Sequence, residues 1–138
     1  MIFKLNRTLL IQLLYLSLAG ITAIQKILPL EIPLWFNEKF KKTLGLIPLG
    51  IELSFFIITF IESLIAVLIL ISIIKMEFQF KKSKPILKMA LELSMALFLI
   101  LFFGSFLVMD YENGALDFIY FVGTFYFYNS IENKELAQ

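Results

Sequence analysis

The chain has 138 residues, of which 60% are hydrophobic, and a mean hydropathy of +0.90. Ordinary soluble domains are roughly 45–50% apolar, so this chain belongs in lipid. Twelve Lys and Arg against eleven Asp and Glu leave a net charge of +1, with the lysines clustered between apolar runs rather than along a helix face. Nucleic acid is therefore not an expected partner. The absence of Cys and His removes thiolate nucleophiles, disulfide exchange, imidazole bases and the usual ligands of haem, iron–sulfur clusters and zinc. No haem, iron–sulfur or zinc cofactor is expected, and any chemistry must use carboxylates, lysines, hydroxyls or a bound molecule.

A hydrocarbon core ~30 Å thick needs about 17–25 apolar residues per helix. Runs of that kind fall at about 8–27, 53–74, 86–109 and 115–131. They predict one all-α domain, a four-transmembrane-helix antiparallel bundle, with no internal repeat. The first run follows Lys4 and Arg7 and would pass for a signal peptide with a cleavage site at Ser17-Leu18-Ala19. With three more spans behind it, a retained helix is the better reading. Its Ala19, Gly20 and Ala23 allow close backbone approach.

Residues 28–50 form the longest connection, broken by Pro29, Pro33 and Pro48. Leu34 to Lys42 alternate apolar and charged residues, which predicts a short amphipathic helix in the membrane interface with Trp35, Phe36 and Phe40 in the headgroup layer. The second span carries Glu62 in its interior. A charge at that depth costs about 2.5–3.5 kcal/mol to insert, so Glu62 should face other helices, a watery cavity or a ligand, or be protonated. In the third span Glu92 follows Lys88 by one turn and predicts a local i,i+4 pair. On the fourth, Asp117, Tyr120, Thr124 and Tyr128 recur at helical spacing and share one face.

Counting from the outer ends of the spans, Glu62 lies about 14 Å deep at 1.5 Å per residue, and Thr124 and Leu18 reach the same depth. Ser17 flanks Leu18, and Thr59 lies one turn from Glu62. Glu62, Thr59, Tyr120, Thr124 and Ser17 are thus the expected polar core. Lys26, Glu52 and Asp117 are expected at the outer mouth, with Lys26 pairing to Asp117 or Glu52. The polar core reads two ways: as a ligand or proton site, or as a protonated Glu62 hydrogen-bonded to a Tyr or Thr that fixes helix order. Lys4, Arg7, Lys75, Lys81, Lys82, Lys84, Lys88 and Lys134 share one side against Lys26, Lys39, Lys41 and Lys42 on the other. The positive-inside rule then puts both termini in the cytoplasm.

The Leu-x-Leu-Ala19-Gly20-Ile-Thr pattern, the Pro-containing connection with Trp35-Phe36, and Phe60-Ile-Glu62-Ser-Leu-Ile-Ala-Val-Leu resemble the small four-helix membrane proteins of the DoxX and MauE type. The resemblance covers mainly residues 10–75. The lysine that such proteins often carry just after the helix-one glycine is displaced here to Lys26. What the resemblance implies is a bacterial inner-membrane accessory protein associated with a membrane redox or maturation system, holding a quinone or lipid in the bundle core. Membrane lipid and a membrane or periplasmic protein are the partners it implies. A purely structural or assembly subunit without ligand is the alternative. A small proton-coupled transporter, acting as an oligomer, is a third class, disfavoured by the absence of paired broken helices.

Overall fold

A computed structural model describes residues 6–29, 31–79 and 81–137, and these are helical throughout apart from short connections. Lys4, counted above for orientation, lies outside them. Five helices follow in order: α1 (Arg7–Ile27), α2 (Leu34–Phe40), α3 (Gly50–Ile74), α4 (Pro85–Leu107) and α5 (Tyr111–Leu136). Among the described residues α1, α3 and α4 are long and apolar enough to cross a membrane, which makes this a membrane protein. The expected fourth span is present as a helix of 26 residues, but its acids, asparagines and tyrosines leave it more polar than the other three.

The helices pack in chain order, α1 on α3, α3 on α4 and α4 along α5. One end of the assembly, here the upper end, carries α2 and the α4–α5 turn. The lower end carries the α3–α4 loop and the start of α1. The buried side of α3 is Ile51, Phe55, Ile58, Glu62, Ile65, Ile69 and Ser72, at alternating steps of four and three. That heptad spacing favours a shallow left-handed crossing, and Glu62 occupies one of its positions. Lipid tails are as apolar as these side chains, so burial alone does not drive association and close packing must. Gly20 of α1 accordingly faces Ala66 of α3, where an added Cβ would stand 3.9 Å from the alanine methyl. At Gly114 a Cβ would come within 2.8 Å of the Phe106 ring, so only glycine lets α5 approach α4 there.

Carboxylates hold the ends together. At the lower end Glu77 is almost fully buried and accepts from the backbone N–H groups of Ile86 (3.2 Å) and Leu87 (2.9 Å), capping α4. Ser72 donates to Glu77 (2.7 Å) and accepts from Gln12 (2.8 Å), which ties α1, α3 and α4 into one network. Lys88 bonds Glu135 of α5 at 3.0 Å. This corrects the expected Lys88–Glu92 pair: an interhelix partner with a part-buried backbone contact of its own, the Lys84 N–H at 2.7 Å, outcompetes an exposed neighbour on the same helix.

Helix α2 also departs from expectation. Trp35 is exposed, but Phe36 and Phe40 are buried rather than in the headgroup layer. Their ring centroids lie 4.7 Å apart with the planes tilted by 45°, and Phe36 meets Phe55 edge-on at 5.2 Å. The aromatic face of α2 finds more contact against the top of the helices than it would among headgroups. Lys39 fastens α2 to Asp110 at 2.5 Å, and Asp110 in turn caps α5 by accepting from the Asn113 N–H.

The chain has no native cysteine, so single cysteines at Lys82 and Asn113 give a clean labelling test. These positions flank α4, and membrane-impermeant reagents are expected to label them from opposite faces. Labelling of both from one face would overturn the assignment of α4 as a span.

Candidate functional site

Because Gly20 is level with Ala66 in antiparallel packing, residue 24 is roughly level with Glu62. Lys26 then stands two residues further, about 3 Å along the axis. A lysine stem spans that easily. Its Nζ donates to Glu62 Oε1 at 2.7 Å and to Oε2 at 2.8 Å, and the carboxylate is only 6% exposed. The expected pairing of Lys26 with Asp117 or Glu52 is therefore replaced by a deeper one. Glu62 at mid-helix has no water to solvate it, so it gains most from the cation, while Glu52 is exposed.

The widened π-helical turn Leu16–Gly20 lies in α1 between the lower contacts and Lys26. Thr22 takes up backbone acceptors there, donating to the Leu18 carbonyl at 2.6 Å. The inward line of α1 nevertheless continues from Gln12, Tyr15, Ala19 and Ala23 to Lys26 at steps of three and four.

Two cavities meet at Lys26. The larger, about 540 Å³, lies under α2 between α3, α4 and the start of α5. Its wall is mostly apolar or aromatic, including Trp35, Phe36, Phe40 and Ile58, with Lys26, Lys39, Ser54, Ser105, Asn113 and Asp117 as polar groups. The smaller, about 340 Å³, brings Lys26 together with Glu31, Glu52 and Thr59. Glu62 lines neither, and it reaches the larger cavity only through Lys26. Asp117 accepts from the Ser105 hydroxyl at 3.2 Å. No metal-holding group of three or more acids is present among the described residues.

The other expected core residues separate. Thr124 is fully buried, but it bonds Tyr15 (2.5 Å) and donates to the Tyr120 carbonyl (2.7 Å) rather than meeting Glu62. Tyr15 stands nine residues before residue 24, about 13 Å lower along α1. Tyr120 is 44% exposed and lies over Phe98 at 5.5 Å. Thr59 donates to its own helix at Phe55, and exposed Ser17 does the same at Leu13. Both hydroxyls are thus spent locally, as is common in apolar helices. Tyr15, Gln12, Ser72 and Glu77 were not among the expected residues. Only their polarity inside or beside apolar runs marks them.

Comparison with family models, with characterised proteins and with solved structures finds no match to this chain. The chemistry must be read from the site. An internally neutralised lysine at the junction of two cavities, with a serine, an asparagine and a carboxylate around an apolar volume, offers a bound molecule a few polar groups to orient against.

Lys26→Met strands Glu62 without a cation. Removing one partner of a buried pair costs about 3–5 kcal/mol. Replacing both, as Lys26→Met with Glu62→Leu, is expected to recover most of that loss in thermal unfolding in detergent. A double variant as unstable as the sum of its parts would show that the pair is not coupled.

Asp110 carries the pH dependence of the α2 anchor. Lys39 first, then the Asn113 side chain and N–H, hold its carboxyl down from 3.8 to about 2. The contribution is fully present above the ordinary carboxylate range and is lost as pH falls through about 2. Trp35 emission is expected to stay constant from neutral pH to the ordinary carboxylate range and to shift on further acidification. Asp110→Asn should shift it already at neutral pH.

Proposed function

We propose that this chain is a DoxX-like accessory protein of a bacterial inner membrane, associated with a membrane redox or maturation system, that holds a quinone or lipid. The observation that carries the reading is the cavity of about 540 Å³ with Lys26 and Asp117 on an otherwise apolar wall. Small-molecule sites are of this kind, roughly 300–1,000 Å³, mostly apolar, with a few polar groups that fix orientation. Ile100, Phe103 and Leu107 lie on the same wall and are also exposed on the outside of α4, which gives a long-chain molecule a sideways route from the bilayer.

In this reading α5 is the fourth crossing. It turns back from α4 after three residues and runs antiparallel beside it, 26 residues against 23, so it accompanies α4 through the same depth. The lysine-rich lower end then faces the cytoplasm with both termini, and the cavity opens in the outer half, within reach of a membrane or periplasmic protein partner. The alternative, a packing or assembly subunit without ligand, is favoured by one feature: both Glu62 oxygens are already taken by Lys26.

Native mass spectrometry of the detergent-extracted protein separates the two. A retained quinone or lipid adduct is expected, reduced by a bulky Gly104→Leu substitution on the cavity wall. A bare protein under conditions gentle enough to keep the fold would favour the packing subunit. A cysteine at Lys134 should label from the same face as one at Lys82, and labelling from the opposite face would remove α5 as a crossing.

A further inference from the structure

The larger cavity has two cations on its wall, Lys26 and Lys39, and each is already neutralised from within. Lys26 is held by both oxygens of Glu62, and Lys39 by Asp110. Asp117 adds a carboxylate whose only hydrogen-bond donor among the described residues is the uncharged Ser105. The fixed charges around this volume therefore sum to a negative value although lysines line it.

An ammonium has three N–H donors. Among the described residues Lys26 makes two hydrogen bonds, both to Glu62, and its third donor is left for whatever enters. An acceptor can use that donor without disturbing the ion pair. An anionic head, in contrast, gains a full counter-charge only by drawing Lys26 away and stranding Glu62 in the interior, which is strongly unfavourable.

We infer that the larger cavity selects amphiphiles with an uncharged, hydrogen-bond-accepting carbonyl head and discriminates against acidic lipids. This rests on the reading of the cavity as a ligand site and narrows it: the shared chemistry is a neutral carbonyl on a long apolar chain, as in a quinone or a neutral glyceride. Lys26 donates to the carbonyl. The chain leaves between Ile100, Phe103 and Leu107 toward the bilayer. Asp117 repels a phosphate at the mouth.

Trp35 is the sole tryptophan and lies on the cavity wall, so its fluorescence reports occupancy. The full-length protein in detergent is titrated with decylubiquinone, a direct quencher. Dioleoylglycerol and dioleoylphosphatidylglycerol, whose apolar chains are alike, are then titrated as competitors. Decylubiquinone and the neutral glyceride are expected to bind at least about tenfold more tightly than the acidic lipid, a difference of about 1.4 kcal/mol. Glu62→Gln, which releases the charge of Lys26, should move the preference toward the acidic lipid by about tenfold. Asp117→Asn should move it the same way without touching the buried pair, and serves where Glu62→Gln does not fold.

Acidic lipid binding as tightly as the neutral probes, or a preference unmoved by Asp117→Asn, overturns the inference and leaves the cavity as a ligand site. Quenching by decylubiquinone with no competition from dioleoylglycerol assigns the site to quinones, and competition by both supports the shared carbonyl chemistry. If none of the three binds, the ligand-site reading fails together with the inference.

Discussion

A carboxylate halfway along a membrane helix has neither water nor headgroups to solvate it, and the upper half of this molecule is arranged around that fact. Glu62 occupies one heptad position in a seam otherwise made of isoleucine, phenylalanine and serine. The seam is apolar enough to slide, since one isoleucine layer resembles the next. The bond to Lys26 cannot be kept if it slides, because a shift of one turn moves the ammonium about 5 Å along the axis. The pair therefore fixes the register of α1 on α3, as a single polar position does in coiled coils. It works only because Gly20 and Ala66 let the two backbones come close enough for a lysine stem to reach across.

Elsewhere acids do a different job. Glu77, in the loop after α3, and Asp110, directly before α5, accept from the first free N–H groups of α4 and α5, satisfying donors that lipid cannot. Each also recruits a second element: Glu77 takes Ser72 and, through it, Gln12, while Asp110 takes Lys39 of α2. The turns on either side of α4 are thereby fastened to parts of the chain that are distant in sequence. Glu62, Glu77 and Asp110 thus each fix a helix in a position where apolar packing alone would leave a choice, and Glu135 does the same for α5 on α4.

The spacing of apolar runs made all the long helices legible, and Glu62 stood out because nothing near it in sequence is charged. Its partner was not legible in the same way. The apolar runs start at Leu53 and Ala115, whereas α3 and α5 begin at Gly50 and Tyr111, so depth measured from the ends of the runs places Lys26 with the surface acids. Lysine is long enough to reach inward by the same flexibility that lets it snorkel outward, and sequence does not say which. The polar stripe of the fourth run marks Thr124 as inward-facing, but Tyr15 reads as one more aromatic in an apolar run, so the pair they make is invisible. Glu77 lacked any signature because its partners are backbone groups across a loop. The amphipathic pattern of α2 is visible, yet the same pattern serves a membrane surface and the top of a helix bundle, and the latter wins because Phe55 offers Phe36 a ring to pack on and Phe36 in turn packs on Phe40.

These features together explain why the empty volume lies where it does. At the lower end Gln12, Ser72, Glu77 and Glu135 tie α1, α3, α4 and α5 to one another, and Tyr15 closes α1 onto α5 through Thr124. Above that level nothing comparable draws α1 toward α5 among the described residues. The top is instead bridged by α2, whose aromatic rings span the gap without filling it, over wall positions that are small: Ser54, Gly104 and Ser105. A Cβ added at Gly104 would stand 3.7 Å from the Phe40 ring, so the glycine leaves the roof close over α4 without filling the space beside it. A larger residue at any of these positions would improve packing, which in lipid is the main source of helix association. With α1 and α5 tied at the lower end and the upper end held by α2 and the two ion pairs of Lys26 and Lys39, the fold keeps its cohesion without filling this volume.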